Sequence, residues 1–314
     1  MADIEQAPIH VAGRYCEVDS LAACVHAALS YWDRSVPYDY VAGLSGAAFS
    51  PGMPSNCVCA ACRANHGPDI RLEFMGYALG FSVESAPVPA PPDGEDFGER
   101  ARRAGQDGAV ILCSSWPCWS ILTEWSDDPS QLSLVPPSGL DHPCVVRSDS
   151  RLHILRQADK CLTPCEAFRA GLRFAADVAC DQLDVDGWVY GGKPYDAWLR
   201  QLDSASFCPL GSADGWECAE RLGTRAVEAH LSAVRFLNRV HRFPAAVPHA
   251  DDLNAATRAY AAIAARLAPY RNGCHLHQIC ERPDKRESYK RAVKKARELH
   301  RRAAEHLARV RDSL

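Results

Sequence analysis

Apolar residues recur along this chain with two periods, and the change between them divides it in two. Val18, Leu21, Ala22, Val25, Leu29 and Trp32 fall on one face of a helix. The spacing predicts a helix within 13–32 whose N-terminus lies at or just after Cys16. Glu17 and Asp19 then stand in the first turn, where carboxylates suit the positive end of the macrodipole. Ile9, His10 and Val11 read as a short strand before it. Residues 38–49 read as a helix running into a loop rich in small residues, including Gly43, Ser45 and Gly46. Such residues permit close backbone approach to a substrate, and ordinarily serve tight packing.

Residues 70–79 predict a second helix, 81–84 a strand, 87–94 a proline-rich surface loop and 98–104 a polar helix. Strand patterns follow at 109–113, 119–125, 132–135 and 152–155, with Asp127-Asp128-Pro129-Ser130 as a turn between the second and third. From Pro164 the period becomes helical: 167–180, 195–202, 216–241 with Pro244 as its stop, 253–267 and 285–314. Helices followed by antiparallel strands predict an α+β fold, with domains at 1–158 and 159–314.

Composition narrows the function classes. With 314 residues, 47% of them hydrophobic, the chain can bury a sizeable core. A formal net charge of −4 offers no basic field for nucleic acid. The opening MADIEQAPIH lacks the basic and apolar regions of a secretory signal, and no apolar run approaches membrane-spanning length. The expectation is a soluble cytoplasmic protein with no membrane partner, whose 15 cysteines are mostly reduced.

Several residues carry candidate chemistry. A thiol at a helix N-terminus is stabilised as thiolate by backbone N–H groups, which can also hold an oxyanion. Cys16 fits that description, and equally that of a small buried hydrophobe. Glu17 and Asp19 raise the pKa of a neighbouring thiol. A histidine must then compensate, or a carboxylate such as Glu17 accepts the proton of an incoming amine. Cys57, Cys59, Cys62 and His66 can close a zinc site, although the spacing is cramped and no second C-x-x-C supports it. Cys274, His275, His277 and Cys280 lack a standard ligand spacing and read as a polar loop. The last predicted helix carries eleven Lys and Arg, from Lys285 to Arg311. It is either a solvated face or a landing surface for an acidic partner protein.

A cysteine opening an N-terminal helix, a small-residue loop and then antiparallel strands resemble the papain-like (cysteine protease) fold. More narrowly, Tyr15-Cys16 through Tyr31-Trp32, with Gly43-Leu44-Ser45-Gly46 after it, resembles the butirosin-type acyltransferases and their C39-peptidase-like relatives. The chain's length and helical C-terminal half are similar to those of the amide synthetases of lincosamide (lincomycin and celesticetin) biosynthesis. This resemblance implies transfer of an aminoacyl group from the phosphopantetheine thioester of an acidic acyl or peptidyl carrier protein to a small-molecule amine, with an aminosugar as the expected acceptor. It implies no bound cofactor, and it places Cys16 at the nucleophile position. His10 stands where papain-like chains carry a glutamine oxyanion donor. The chain departs from the family at the general base, because the strand beginning Pro117-Cys118-Trp119 has no histidine. His142 is the substitute, with His153 as runner-up.

A thioester is already activated, so a thiolate that accepts the acyl group and a base that takes the amine's proton suffice. Water must be excluded, and Trp188, Tyr190, Tyr195 and Trp198 are expected to cover the mouth. Two other classes compete: a C39-like cysteine peptidase or hydrolase, and a non-enzymatic zinc- or partner-binding protein.

Overall fold

The structure is a computed structural model, and it describes residues 19–50, 53–54, 70–87, 97–114, 119–124, 133–135, 150–160, 162–183, 188–203, 213–273 and 276–314. The fold is α+β and mostly helical, with one five-stranded antiparallel sheet among the described residues.

Helix α1 spans Ser20–Tyr31. It begins later than the apolar stripe predicts, because Asp19 is its N-cap. Asp19 has an extended backbone (φ −147°, ψ 114°), and its carboxylate accepts the Ala22 N–H at 2.8 Å. A short carboxylate makes a better cap than a first-turn residue, since it satisfies an N–H that the helix leaves open. Apart from His26, Ser30 and Tyr31, α1 is buried on every side rather than along one stripe. Its far end is pinned where Trp32 Nε1 donates to the Gly108 carbonyl at 3.0 Å.

Helix α2 (Tyr38–Leu44) ends in the small-residue turn, and here packing is the reason for the glycines. A β-carbon on Gly43 would meet Phe236 Cδ2 at 2.0 Å. Gly46 adopts φ +74°, a conformation that favours glycine.

The next elements are β1 (Met53–Pro54), α3 (Ile70–Leu79), β2 (Phe81–Pro87), α4 (Phe97–Gln106), β3 (Val110–Cys113), β4 (Ser120–Glu124), β5 (Ser133–Val135) and β6 (Arg151–Gln157). The sheet order is β2-β6-β3-β4-β5. Alternate residues take opposite faces, as the two-residue period of a strand requires. Val110, Leu112, Ile121 and Leu155 join the main core with α1 and α3. Ile111, Cys113, Leu122, Leu152 and Ile154 meet Ala101 and Ala104 of α4 in a smaller core on the other face.

The helical half comprises α5 (Pro164–Ala179), α6 (Lys193–Asp203), α7 (Ala213–Val240), α8 (Ala250–Leu267), α9 (Leu276–Glu281) and α10 (Pro283–Ser313), with 3-10 turns at Pro244–His249 and Ala268–Gly273. A capping box starts α5: Thr163 accepts the Glu166 N–H, Glu166 accepts the Thr163 N–H, and Pro164 occupies the first turn. Its predicted stripe of Phe168, Leu172, Ala175, Ala176 and Ala179 is buried throughout. The part of 274–280 that is described is not a loop but the short helix α9, so that expectation is corrected. A two-residue ladder, β7 (Trp188–Val189) on β1, ties the two halves, and one hydrophobic core runs from α1 through to α10. Arg34 adds a polar tie: its guanidinium donates to the carbonyls of Leu79, Gly80 and Ala158. No helix among the described residues is long and apolar enough to cross a membrane.

Candidate active site

The mouth of α1 is the part of the fold that bears on the Cys16 reading. Asp19 is 2% exposed and Ser20 1%. Ser20 Oγ accepts the backbone N–H of Trp119 at 3.0 Å, which fixes the start of α1 against the head of β4. The fully buried Trp119 ring lies 4.8 Å from the ring of His153 on β6. His153 faces the same side of the sheet as Leu155, towards α1, and Ser85 of β2, its register partner, hydrogen-bonds its Nδ1 at 2.7 Å.

Charge at this mouth is balanced from far along the chain. Arg225 of α7, with 8% of its side chain exposed, stands 3.7 Å from the Asp19 carboxylate. It offsets the negative charge that Asp19 brings to the helix start, which sequence reasoning counted against a thiolate. The buried Tyr38 hydroxyl nearby stays protonated, its pKa raised first by burial and then by Asp19.

His153 is a poor general base. Burial, aided by Arg151, lowers its pKa to about 3, far from the neutral range in which an acid–base catalyst works best. Its place inside the sheet makes it a packing residue that supports Trp119. Cys16, Glu17, His142 and His10 lie outside the described residues, as do Cys57, Cys59, Cys62 and His66. Among the described residues no group of three or more His, Cys, Asp or Glu could hold a metal ion.

The expectation that aromatics cover an open mouth needs correction. Tyr190, Tyr195 and Trp198 are 2%, 0% and 3% exposed. Tyr195 shares a 2.5 Å hydrogen bond with His230, and Trp198 meets Tyr289 edge-on. These side chains build the interior of the helical half. Their large apolar area is worth more buried than at a wet rim.

The basic face of α10 is likewise altered by its surroundings. Lys290 pairs with Asp203, Arg297 with Asp196, Arg309 with Asp252 and Arg311 with Asp177, all contributed by other elements. Arg291, Lys294 and Arg302 remain exposed.

Two histidines that sequence reading passed over lie in the core. His230 and His300 pack with Tyr195 and Tyr260, ring centroids 5.1–6.3 Å apart, at 0% and 1% exposure. The sequence did hold a signal: each sits on the apolar stripe of its helix, among Val227, Ala233 and Leu237 or Ala296, Ala303 and Leu307. No protein-family model matches the chain, and no curated protein matches it either.

Proposed function

We propose that this chain is an acyltransferase that makes an amide, moving an aminoacyl group from a carrier-protein thioester to a small-molecule amine, with an aminosugar as the expected acceptor. The observation that supports the reading is the mouth of α1. A buried, capped helix start is held against an antiparallel sheet and faces a buried arginine of α7 that counters its own carboxylate. Cys16 stands three residues before that cap, and three residues of extended chain span at most about 10 Å.

In the proposed reaction the Cys16 thiolate attacks the thioester carbonyl. The carbon–sulfur bond to the carrier breaks, and the carrier departs as a thiol after taking a proton. The amine then attacks acyl-Cys16, its proton passes to His142 or Glu17, and the thiolate is restored. With the Asp19 charge offset by Arg225, the positive end of the α1 dipole favours an anionic sulfur brought to it. Arg291, Lys294 and Arg302 on α10 suit an acidic carrier protein.

Purified full-length chain, an aminoacylated carrier and a panel of amines test the reading. Amide formation that falls to background in Cys16→Ala, with the fold intact by circular dichroism, supports it. Release of free amino acid without amine dependence would instead favour a cysteine hydrolase, and undiminished amide formation in Cys16→Ala would remove the nucleophile.

A further inference from the structure

Charge is distributed unevenly along this chain. Residues 253–314 hold 15 Lys and Arg against 6 Asp and Glu, whereas residues 1–252 hold 20 against 33. From Leu253 to Cys280 the sequence has no acidic residue at all. An acidic macromolecule that meets this protein is repelled by most of the chain and drawn to its C-terminal helices.

Lys290, Arg297 and Arg311 of α10 turn towards α5 and α6, where Asp203, Asp196 and Asp177 answer them. The side of α10 beside α8 differs. The two helices run antiparallel: Asp252 receives His306 and Arg309, and the rings of Tyr260 and His300 lie 6.0 Å apart. That register brings Arg258 level with Arg302 and Arg266 level with Lys294, and all four are exposed. Arg258, Ala262 and Arg266 follow at four-residue steps and form one ridge of α8. Arg291, Lys295 and Arg302, at steps of four and seven, form the ridge of α10 beside it.

The acids within reach do not balance these ridges. Glu298 is taken by Lys295 at 2.9 Å, and Asp251 and Asp252 stand in the first turn of α8. Arg258, Arg266, Arg291 and Arg302 are therefore surplus positive charge, spread over about 12 Å from Arg258 to Arg266. Like charges held level across a seam repel each other, and carboxylates from a partner relieve that repulsion. Ala261, Ala262 and Ala265 are exposed among the α8 arginines, and such small side chains let a partner helix lie close.

One end of this surface adjoins the candidate site. A β-carbon on Gly223 of α7 would lie 2.6 Å from the carbonyl oxygen of Tyr270, just past α8, and 3.7 Å from the hydroxyl of Tyr289 on α10. Arg225, which meets Asp19 at the mouth of α1, follows two residues later, about 3 Å along α7. The Arg266 and Arg291 end thus lies at the end of α7 that reaches the α1 mouth.

We propose that the surface formed by α8 and α10 docks an acidic helix of the carrier protein, whose carboxylates meet Arg258, Arg266, Arg291 and Arg302. Naming the partner a carrier rests on the acyl-transfer reading; the charge pattern does not. Binding of the unloaded carrier to the full chain is followed by fluorescence anisotropy in low and in high salt. Turnover is compared between the aminoacylated carrier and the same aminoacyl group on free pantetheine. Arg258→Glu with Arg302→Glu, and Arg266→Glu with Arg291→Glu, should each weaken carrier binding about tenfold or more and raise the carrier KM to match. The value of kcat, turnover of the pantetheine thioester and circular dichroism should stay unchanged, and salt should weaken binding. Binding lost on charge reversal, with no amide made from either donor, keeps the docking surface and removes the transfer reading. Turnover of both donors with carrier binding indifferent to reversal keeps the transfer and overturns the docking surface, as does absence of carrier binding. Self-association of the chain that the same reversals abolish also overturns it, by assigning the surface to a second copy.

Discussion

Lowering the pH from 6.5 to 5 should remove much of this protein's stability, and the cause is three buried histidines. Burial pulls the pKa of His153 and His230 to about 3 and that of His300 to about 4, with Arg151 lowering His153 further and the His300 charge lowering His230. In the unfolded chain each titrates near the ordinary value of about 6.5. Between those limits the unfolded chain binds protons that the folded chain refuses, so stability rises with pH and is lost as pH falls. Each histidine contributes a slope of about 1.4 kcal/mol per pH unit, and three contribute about 4. From pH 6.5, where the unfolded histidines are half protonated, to pH 5 the integrated loss is roughly 5 kcal/mol, comparable to the whole stability of a marginal domain. His26 and His241, whose pKa values burial also lowers, act in the same direction. The ion-paired carboxylates Asp203, Asp252 and Glu298 have pKa values lowered from an already acidic range, so their contribution fades only below this window. Urea unfolding followed by circular dichroism at pH 7.5, 6.5, 5.5 and 5 reads the slope directly. His300→Phe, which keeps the ring shape without a proton site, should cut the slope by about a third. Stability that stays level from pH 7.5 to 5 would refute the reasoning.

Three substitutions probe the fold around the candidate site. Gly43→Ala places a methyl 2.0 Å from Phe236, which Tyr40 and Phe49 hold in place. Overpacking of about 1–3 kcal/mol, less a helix gain of about 1, should leave it destabilised by up to about 2 kcal/mol in urea, with part restored by Phe236→Leu. Asp19→Ala should be about 1 kcal/mol less stable than Asp19→Asn, which retains the cap, and equal denaturation midpoints would contradict the capping role. Arg34→Met removes donors to three carbonyls and should cost about 3 kcal/mol, visible as a lowered melting temperature.

Much of the fold was legible because its signals are local. The stripes of α5, α7 and α10 and the runs of β3, β4 and β6 sit on or near their predicted residues, since helix and strand periods are written within single segments. The start of α1 was misplaced because Asp19 serves equally as a first-turn charge and as a cap, and only its backbone conformation decides. Helix α9 has six residues, too few for a period to show. The strand order and the β1–β7 ladder depend on partners far apart in sequence, as does the approach of Arg225 to Asp19. The basic face of α10 was counted correctly from its own residues. The acids that answer it come from α5, α6 and α8, which no reading of α10 alone could reveal.

The role of the sulfur of Cys16 can be read most directly by intact-mass spectrometry. The full chain is mixed with an aminoacylated carrier protein, without amine, and quenched in acid. The account predicts a covalent gain equal to the aminoacyl group, mapped to Cys16, absent in Cys16→Ala and discharged when an amine acceptor is added. Amide formation from an enzyme that never carries that mass would contradict it.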